Sequence, residues 1–63
     1  MPLVTIKAPE AVFSEDQKRA MIDKVTEAMV EVQGEEFREK TWVVYEEVPR
    51  QSWAIGGTLI GPH

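Results

Sequence analysis

Cysteine is absent from this 63-residue sequence, and histidine occurs once, as His63. The first absence excludes disulfides, thiolate metal sites and cysteine nucleophiles. The second leaves a histidine-rich metal cluster and a Ser/His/Asp triad without their essential parts. Basic residues are also outnumbered: seven Lys and Arg against eleven Asp and Glu give a formal charge of −4. They are spread along the chain rather than massed in one stripe, so the electrostatic footprint of a nucleic-acid binder is missing. No apolar run approaches the roughly 18 residues of a membrane span, and the N-terminus moves at once into an alternating pattern instead of a basic-plus-apolar signal. The expectation is a soluble cytoplasmic protein with no nucleic-acid or membrane partner.

Length is in short supply as well. A chain of 63 residues has room for one domain, spanning 1–63, and a domain this short buries only about 60% of the surface its unfolded chain exposes. Small domains recover that deficit with disulfides, a metal or self-association. Here self-association is the remedy left.

What is present reads as strand, helix, strand. From Pro2 to Ala8 the residues alternate, with Val4, Ile6 and Ala8 on one face and Leu3, Thr5 and Lys7 on the other. Pro9 should end this strand, since proline brings no N–H to a ladder. Ser14 followed by Gln17 has capping-box spacing, and Glu15 and Asp16 put negative charge in the first helical turn. Met21, Ile22, Val25, Ala28, Met29 and Val32 then recur at steps of three and four, while Lys18, Arg19, Asp23, Lys24, Glu27 and Glu31 fill the other side; Gly34 supplies the stop. We read the stripe as core. Thr41 to Val48 is rich in β-branched and aromatic residues and ends at Pro49. Two strands joined through such a helix run parallel as one βαβ unit. Beyond Arg50, the Gly56-Gly57 pair between Trp53, Ile55 and Leu59-Ile60 suggests a tight turn with short extended flanks. The fold class is therefore α/β: a single βαβ unit with a C-terminal hairpin or arm. Its unpaired strand edges and second apolar face call for completion of the sheet by oligomerisation.

Pro2 stands out by position. Proline after an initiator methionine permits routine methionine removal, and the product is a secondary amine at the start of a strand. An α-amino group titrates near about 7.7–8.0, and desolvation or nearby positive charge lowers that value, which gives a general base poised near neutral pH. With Met1 attached the nitrogen is an amide and cannot act as a base.

The arrangement resembles the 4-oxalocrotonate tautomerase family. The resemblance is carried by Pro2-Leu3-Val4-Thr5-Ile6, by Ser14-Glu15-Asp16-Gln17-Lys18 opening the helix, and by Val25-Thr26-Glu27-Ala28. It continues through Val43-Val44-Tyr45-Glu46-Glu47 and Trp53-Ala54-Ile55-Gly56-Gly57. It implies a tautomerase-like domain assembled as a homohexamer, a trimer of dimers, whose sites are completed by neighbouring subunits. It also implies that Pro2 is the catalytic base for proton transfer on a small-molecule enol or keto acid, without cofactor or metal. Trp53 falls where the family has an aromatic wall, and an apolar wall beside an amine lowers its pKa by desolvation.

The departures from the family pattern bear on substrate. Well-known members have one arginine just before the helix and another early in the second strand. Here the first region reads Ala11-Val12-Phe13, with one extra residue before Ser14, and Trp42 occupies the second place. Loss of such an electrostatic clamp costs a few kcal/mol of transition-state stabilisation unless another cation substitutes. Arg50, Arg38, Lys40 and Lys7 are the available replacements, with Arg50 preferred for its closeness to Trp53. Trp42 and Phe13 suggest a more apolar or aromatic ligand than a dicarboxylate, with strand core an equal reading of Trp42; the substrate expected of an isomerase is a small 2-hydroxydienoate or arylenolpyruvate. Glu46 and Glu47 fall on opposite faces and read as solvated surface. The alternative is a non-catalytic oligomeric scaffold or binding protein that has lost the arginine clamp.

Overall fold

The computed structural model describes residues 2–60; the expectations on Met1 and His63 lie outside them. Strand β1 (Leu3–Pro9) is followed by helix α1 (Glu15–Gln33) and a 3-10 connection (Glu35–Lys40). Strand β2 (Trp42–Val48), a second 3-10 turn (Arg50–Ser52) and the two-residue strands β3 (Ala54–Ile55) and β4 (Thr58–Leu59) complete the described chain. β1 and β2 pair in parallel from Leu3↔Trp42 to Pro9↔Val48, and β3 and β4 form an antiparallel hairpin. The βαβ unit and the hairpin are thus as the alternating and periodic patterns indicated.

Local chemistry accounts for the boundaries. The Ser14 hydroxyl accepts the Gln17 backbone N–H at 3.1 Å while the Gln17 side-chain Oε1 accepts the Ser14 N–H at 2.9 Å, so two orphan donors of the first turn are satisfied reciprocally. At the other end Gly34, at φ 110° and ψ 150°, gives its N–H to the Val30 carbonyl at 2.8 Å. That backbone conformation is open essentially to glycine alone. In the hairpin, Gly56 and Gly57 both have positive φ, 58° and 86°, which is what a two-residue loop twisted to match its strands requires.

Several boundaries and faces differ from the sequence reading. Pro9 lies inside β1 as its last residue, at the strand end where the ladder does not need its missing N–H; the next donor, Glu10 N–H, reaches the Val48 carbonyl at 3.1 Å. On α1, Ala28 and Val32 face solvent, Val32 at 90% exposure, while Val30 is buried. The helix turns its Met21, Ile22, Val25, Met29 and Val30 side toward the sheet, which moves the stripe by part of a turn. Lys18, expected on the polar side, is half-buried with its ammonium 5.2 Å from the centre of the Tyr45 ring and 2.9 Å from Glu15. The Glu15 hydrogen bond raises the Lys18 pKa.

Burial along β1 alternates as expected, with Val4, Ile6 and Ala8 toward the helix. Ala8 and Val30 are the fully buried apolar residues among those described. On the opposite sheet face Leu3, Trp42 and Val44 are exposed, as are Ile55, Leu59 and Ile60 of the hairpin and its flank. The molecule is a thin slab, 44 × 25 × 13 Å, one helix deep over one two-stranded ribbon.

Two substitutions test this account of the helix ends. Ser14→Ala should cost about 1 kcal/mol of stability, and Gly34→Ala about 1–3 kcal/mol, because alanine pays for that φ/ψ region. Urea unfolding at one fixed subunit concentration would measure both; a Gly34→Ala protein as stable as wild type would contradict the cap geometry.

Candidate active site

The parallel register sorts the candidate residues into two groups. Pro2 immediately precedes β1, and its carbonyl accepts the Trp42 N–H at 3.0 Å. Leu3 and Trp42 are direct partners across the ribbon and both are exposed, so an indole stands open to solvent at the Pro2 end. Pro2 itself is half-buried.

The second group gathers at the far end. The Val48 carbonyl accepts both the Glu10 N–H and, at 3.2 Å, the Trp53 indole N–H, so both of its lone pairs are used. These bonds tie the 3-10 turn and the hairpin to the end of the ribbon and leave the Trp53 ring half-buried there. Arg50 donates from Nε to the Glu10 carbonyl at 3.1 Å, across 40 residues of sequence. Among the described residues its two terminal nitrogens have no acceptor. Phe13, exposed, sits just before the helix in the connection that leaves this same end of β1.

The strands are seven residues long, so the two ends are about 20 Å apart at the usual rise per residue. Within one chain Pro2 and Trp42 therefore do not meet Arg50, Trp53 or Phe13. The other cations fare differently. Arg38 is bound to Glu27 and Glu35, with contacts of 2.5 Å to each. Lys7 lies 3.7 Å from Glu46, its cross-strand partner, as an exposed pair of little energetic weight. Lys40 has no ion pair among the described residues. Glu46 and Glu47 are both exposed, in keeping with solvated surface. Among the described residues no group of three or more His, Asp or Glu is arranged to hold a metal ion, and no helix is long and apolar enough to cross a membrane.

Two features escaped sequence reasoning. The Lys18–Tyr45 stack is one, although the Glu15-to-Lys18 spacing of three signalled the ion pair that sets it. The Tyr45 hydroxyl is buried and has no partner among the described residues; nothing in the alternation of β2 marks it.

A family model described as Tautomerase enzyme matches residues 2–62, nearly the whole sequence. The chain belongs to the tautomerase family. Its relatives within that family are similar over most of their length. A protein of Halalkalibacterium halodurans named as a probable tautomerase is 41% identical over 61 residues, 95% of each chain. The 2-hydroxymuconate tautomerase of Bacillus subtilis is 40% identical over 57 residues, covering 90% of this chain and 89% of that one. Among solved structures, a 4-oxalocrotonate tautomerase isozyme from Methylibium petroleiphilum superposes with a TM-score of 0.76 at 43% identity, over 89% of this chain and 87% of that one. This tautomerase-family enzyme shares its βαβ fold with these relatives, and the scaffold-only alternative gives way to an isomerase.

The Arg38 cluster yields a pH prediction. Hydrogen bonds from Arg38 hold the Glu27 and Glu35 carboxyls below their ordinary range. Groups depressed on folding contribute stability above the unfolded carboxylate value of about 4.3, and that contribution is lost as pH falls through the lower folded value. The unfolding midpoint of wild type should thus drop more between pH 5 and 2.5 than that of Arg38→Gln. Parallel acid limbs for the two proteins would rule this out.

Proposed function

We propose that the amine of Pro2, freed by removal of Met1, is the general base of a cofactor-independent tautomerase acting on a small 2-hydroxydienoate or arylenolpyruvate-like acid. The supporting observation is the place of Pro2. It lies at an open strand end, anchored through its carbonyl to Trp42 N–H, so its nitrogen is held without being consumed by the ladder. The exposed Trp42 indole beside it offers a flat apolar surface for a conjugated ligand.

In this reading the Pro2 lone pair takes the enol hydroxyl proton. The C–O bond becomes a carbonyl, the electron pair moves through the conjugated system to the far carbon, and the prolinium returns the proton there. Nothing is oxidised or reduced. The terminal nitrogens of Arg50, which have no acceptor among the described residues, suit a substrate carboxylate. Trp53 and Phe13 would supply the apolar wall that keeps the amine neutral by desolvation.

Because about 20 Å of ribbon separates the Pro2 and Arg50 ends of one chain, the proposal requires the Arg50 end of another copy to meet Pro2. The exposed Leu3, Trp42 and Val44 face and the exposed hairpin residues Ile55, Leu59 and Ile60 are the surfaces such an assembly would cover. We take the assembly to be a homohexamer, a trimer of dimers, in the cytoplasm, each chain contributing one domain over 1–63.

Pro2→Ala should leave the oligomer intact by sedimentation while ketonisation of an arylenolpyruvate falls by about 100-fold or more, the usual scale of a lost general base. An unchanged rate would sink the proposal. So would an intact mass that retains Met1 in the native protein. Arg50→Gln should raise KM about 10-fold or more with a smaller effect on kcat, as expected for a carboxylate contact present in ground and transition states alike.

A further inference from the structure

Arg38 is engaged on both sides of its guanidinium. Nη1 and Nη2 donate to the two Glu27 oxygens at 2.5 and 3.0 Å, and Nε and Nη2 donate to the two Glu35 oxygens at 2.5 and 3.2 Å. Glu27 lies within α1 and Glu35 opens the 3-10 connection. An isolated surface pair contributes little, but a bidentate arginine shared by two carboxylates is the exception, since its geometry is fixed in both directions. The clamp therefore fastens the connection to the helix.

From there an unbroken series of contacts leads to Pro2. The Arg38 carbonyl accepts the Thr41 N–H at 3.2 Å. The Thr41 hydroxyl donates to the Phe37 carbonyl at 2.8 Å and accepts from the Gln33 amide at the end of α1. Trp42, the next residue, gives its N–H to the Pro2 carbonyl. We propose that Arg38 is a positioning residue for the candidate active site: by clamping residues 35–40 onto α1 it fixes where Trp42 meets Pro2. With four of its five N–H groups bonded to Glu27 and Glu35, it is a brace and not a substrate ligand. The proposal rests on the reading of Pro2 as the base.

Its sign is distinctive. When the brace is lost, the Pro2 end loosens, water reaches the amine, and the ammonium form is favoured. Deleting Arg38 or deleting Glu27 breaks the same clamp, so both raise the amine pKa. A through-space charge effect does the opposite for the two: removing a cation raises an amine pKa, and removing a carboxylate lowers it.

The experiment compares wild type, Arg38→Gln, Glu27→Gln and Arg38→Lys as Met1-free oligomers. The acid limb of the kcat/KM profile for arylenolpyruvate ketonisation should move up by about half a pH unit in both glutamine variants, with Arg38→Lys between them and wild type. Exchange of the Trp42 amide hydrogen should quicken by about tenfold in both, while mid-strand β2 amides keep their rates. Acid limbs that move in opposite directions, or Trp42 exchange unchanged in both variants, overturn the proposal. Should either glutamine variant fail to fold, Arg38→Lys, which keeps the charge but lacks the planar fork that grips Glu27 and Glu35 together, takes its place with the same expected direction and a smaller shift. If the wild-type rate does not depend on Pro2, the base reading fails, and Trp42 exchange alone decides whether Arg38 positions that end.

Discussion

Parallel pairing of β1 with β2 is the constraint from which the rest follows. A parallel pair cannot be closed by a tight turn, so the chain must travel back along the ribbon before starting β2. Helix α1 makes that return, and its length of 19 residues against strands of seven sets how much connection is needed at each end. At the β1-to-α1 end the chain turns through Ala11, a non-glycine residue at positive φ. At the other end the 3-10 connection and its arginine clamp bring the chain onto Leu3 and Pro2. The register then carries the aromatic and cationic residues after β2 to the end farthest from Pro2.

A second constraint is the shortage of interior. One helix over two strands can enclose very little, and Ala8 and Val30 are what this unit fully encloses among the described residues. The remaining apolar side chains of the inner face are only half-buried, and a whole sheet face is left to solvent. Hydrophobic burial scales with area removed from water, so the apolar surface left exposed among the described residues is available to stabilise an assembly rather than a monomer. Stability and site construction would then draw on the same surfaces.

Much of the fold was legible in the sequence because its signals are local. Alternation of Val4, Ile6 and Ala8, the Ser14–Gln17 capping box, Gly34 and the Gly56-Gly57 pair each act within a few residues, and each does what its chemistry dictates. The helix face was read less well: Val30 and Val32 are equally apolar, and only contact with the sheet decides that Val30 turns in and Val32 out. Lys18 shows the same limit, since its long aliphatic stem lets a charged residue cover an aromatic ring. The candidate site was legible as a list of residues but not as an arrangement. That Pro2 and Trp53 lie at opposite ends depends on the parallel register, and that Arg38 is occupied depends on Glu27 being eleven residues away in sequence but adjacent in space.

The two-ended layout has a genetic consequence. Where a working site joins the proline end of one copy to the arginine end of another, a defect at either end spoils a different half of each site it enters. Two alleles, one damaged near Pro2 and one near Arg50, then restore some intact sites when their products mix in one assembly, although neither allele works alone. In such an assembly selection would act on this chain as a population of copies, and the fitness of a substitution would depend on what its neighbours carry.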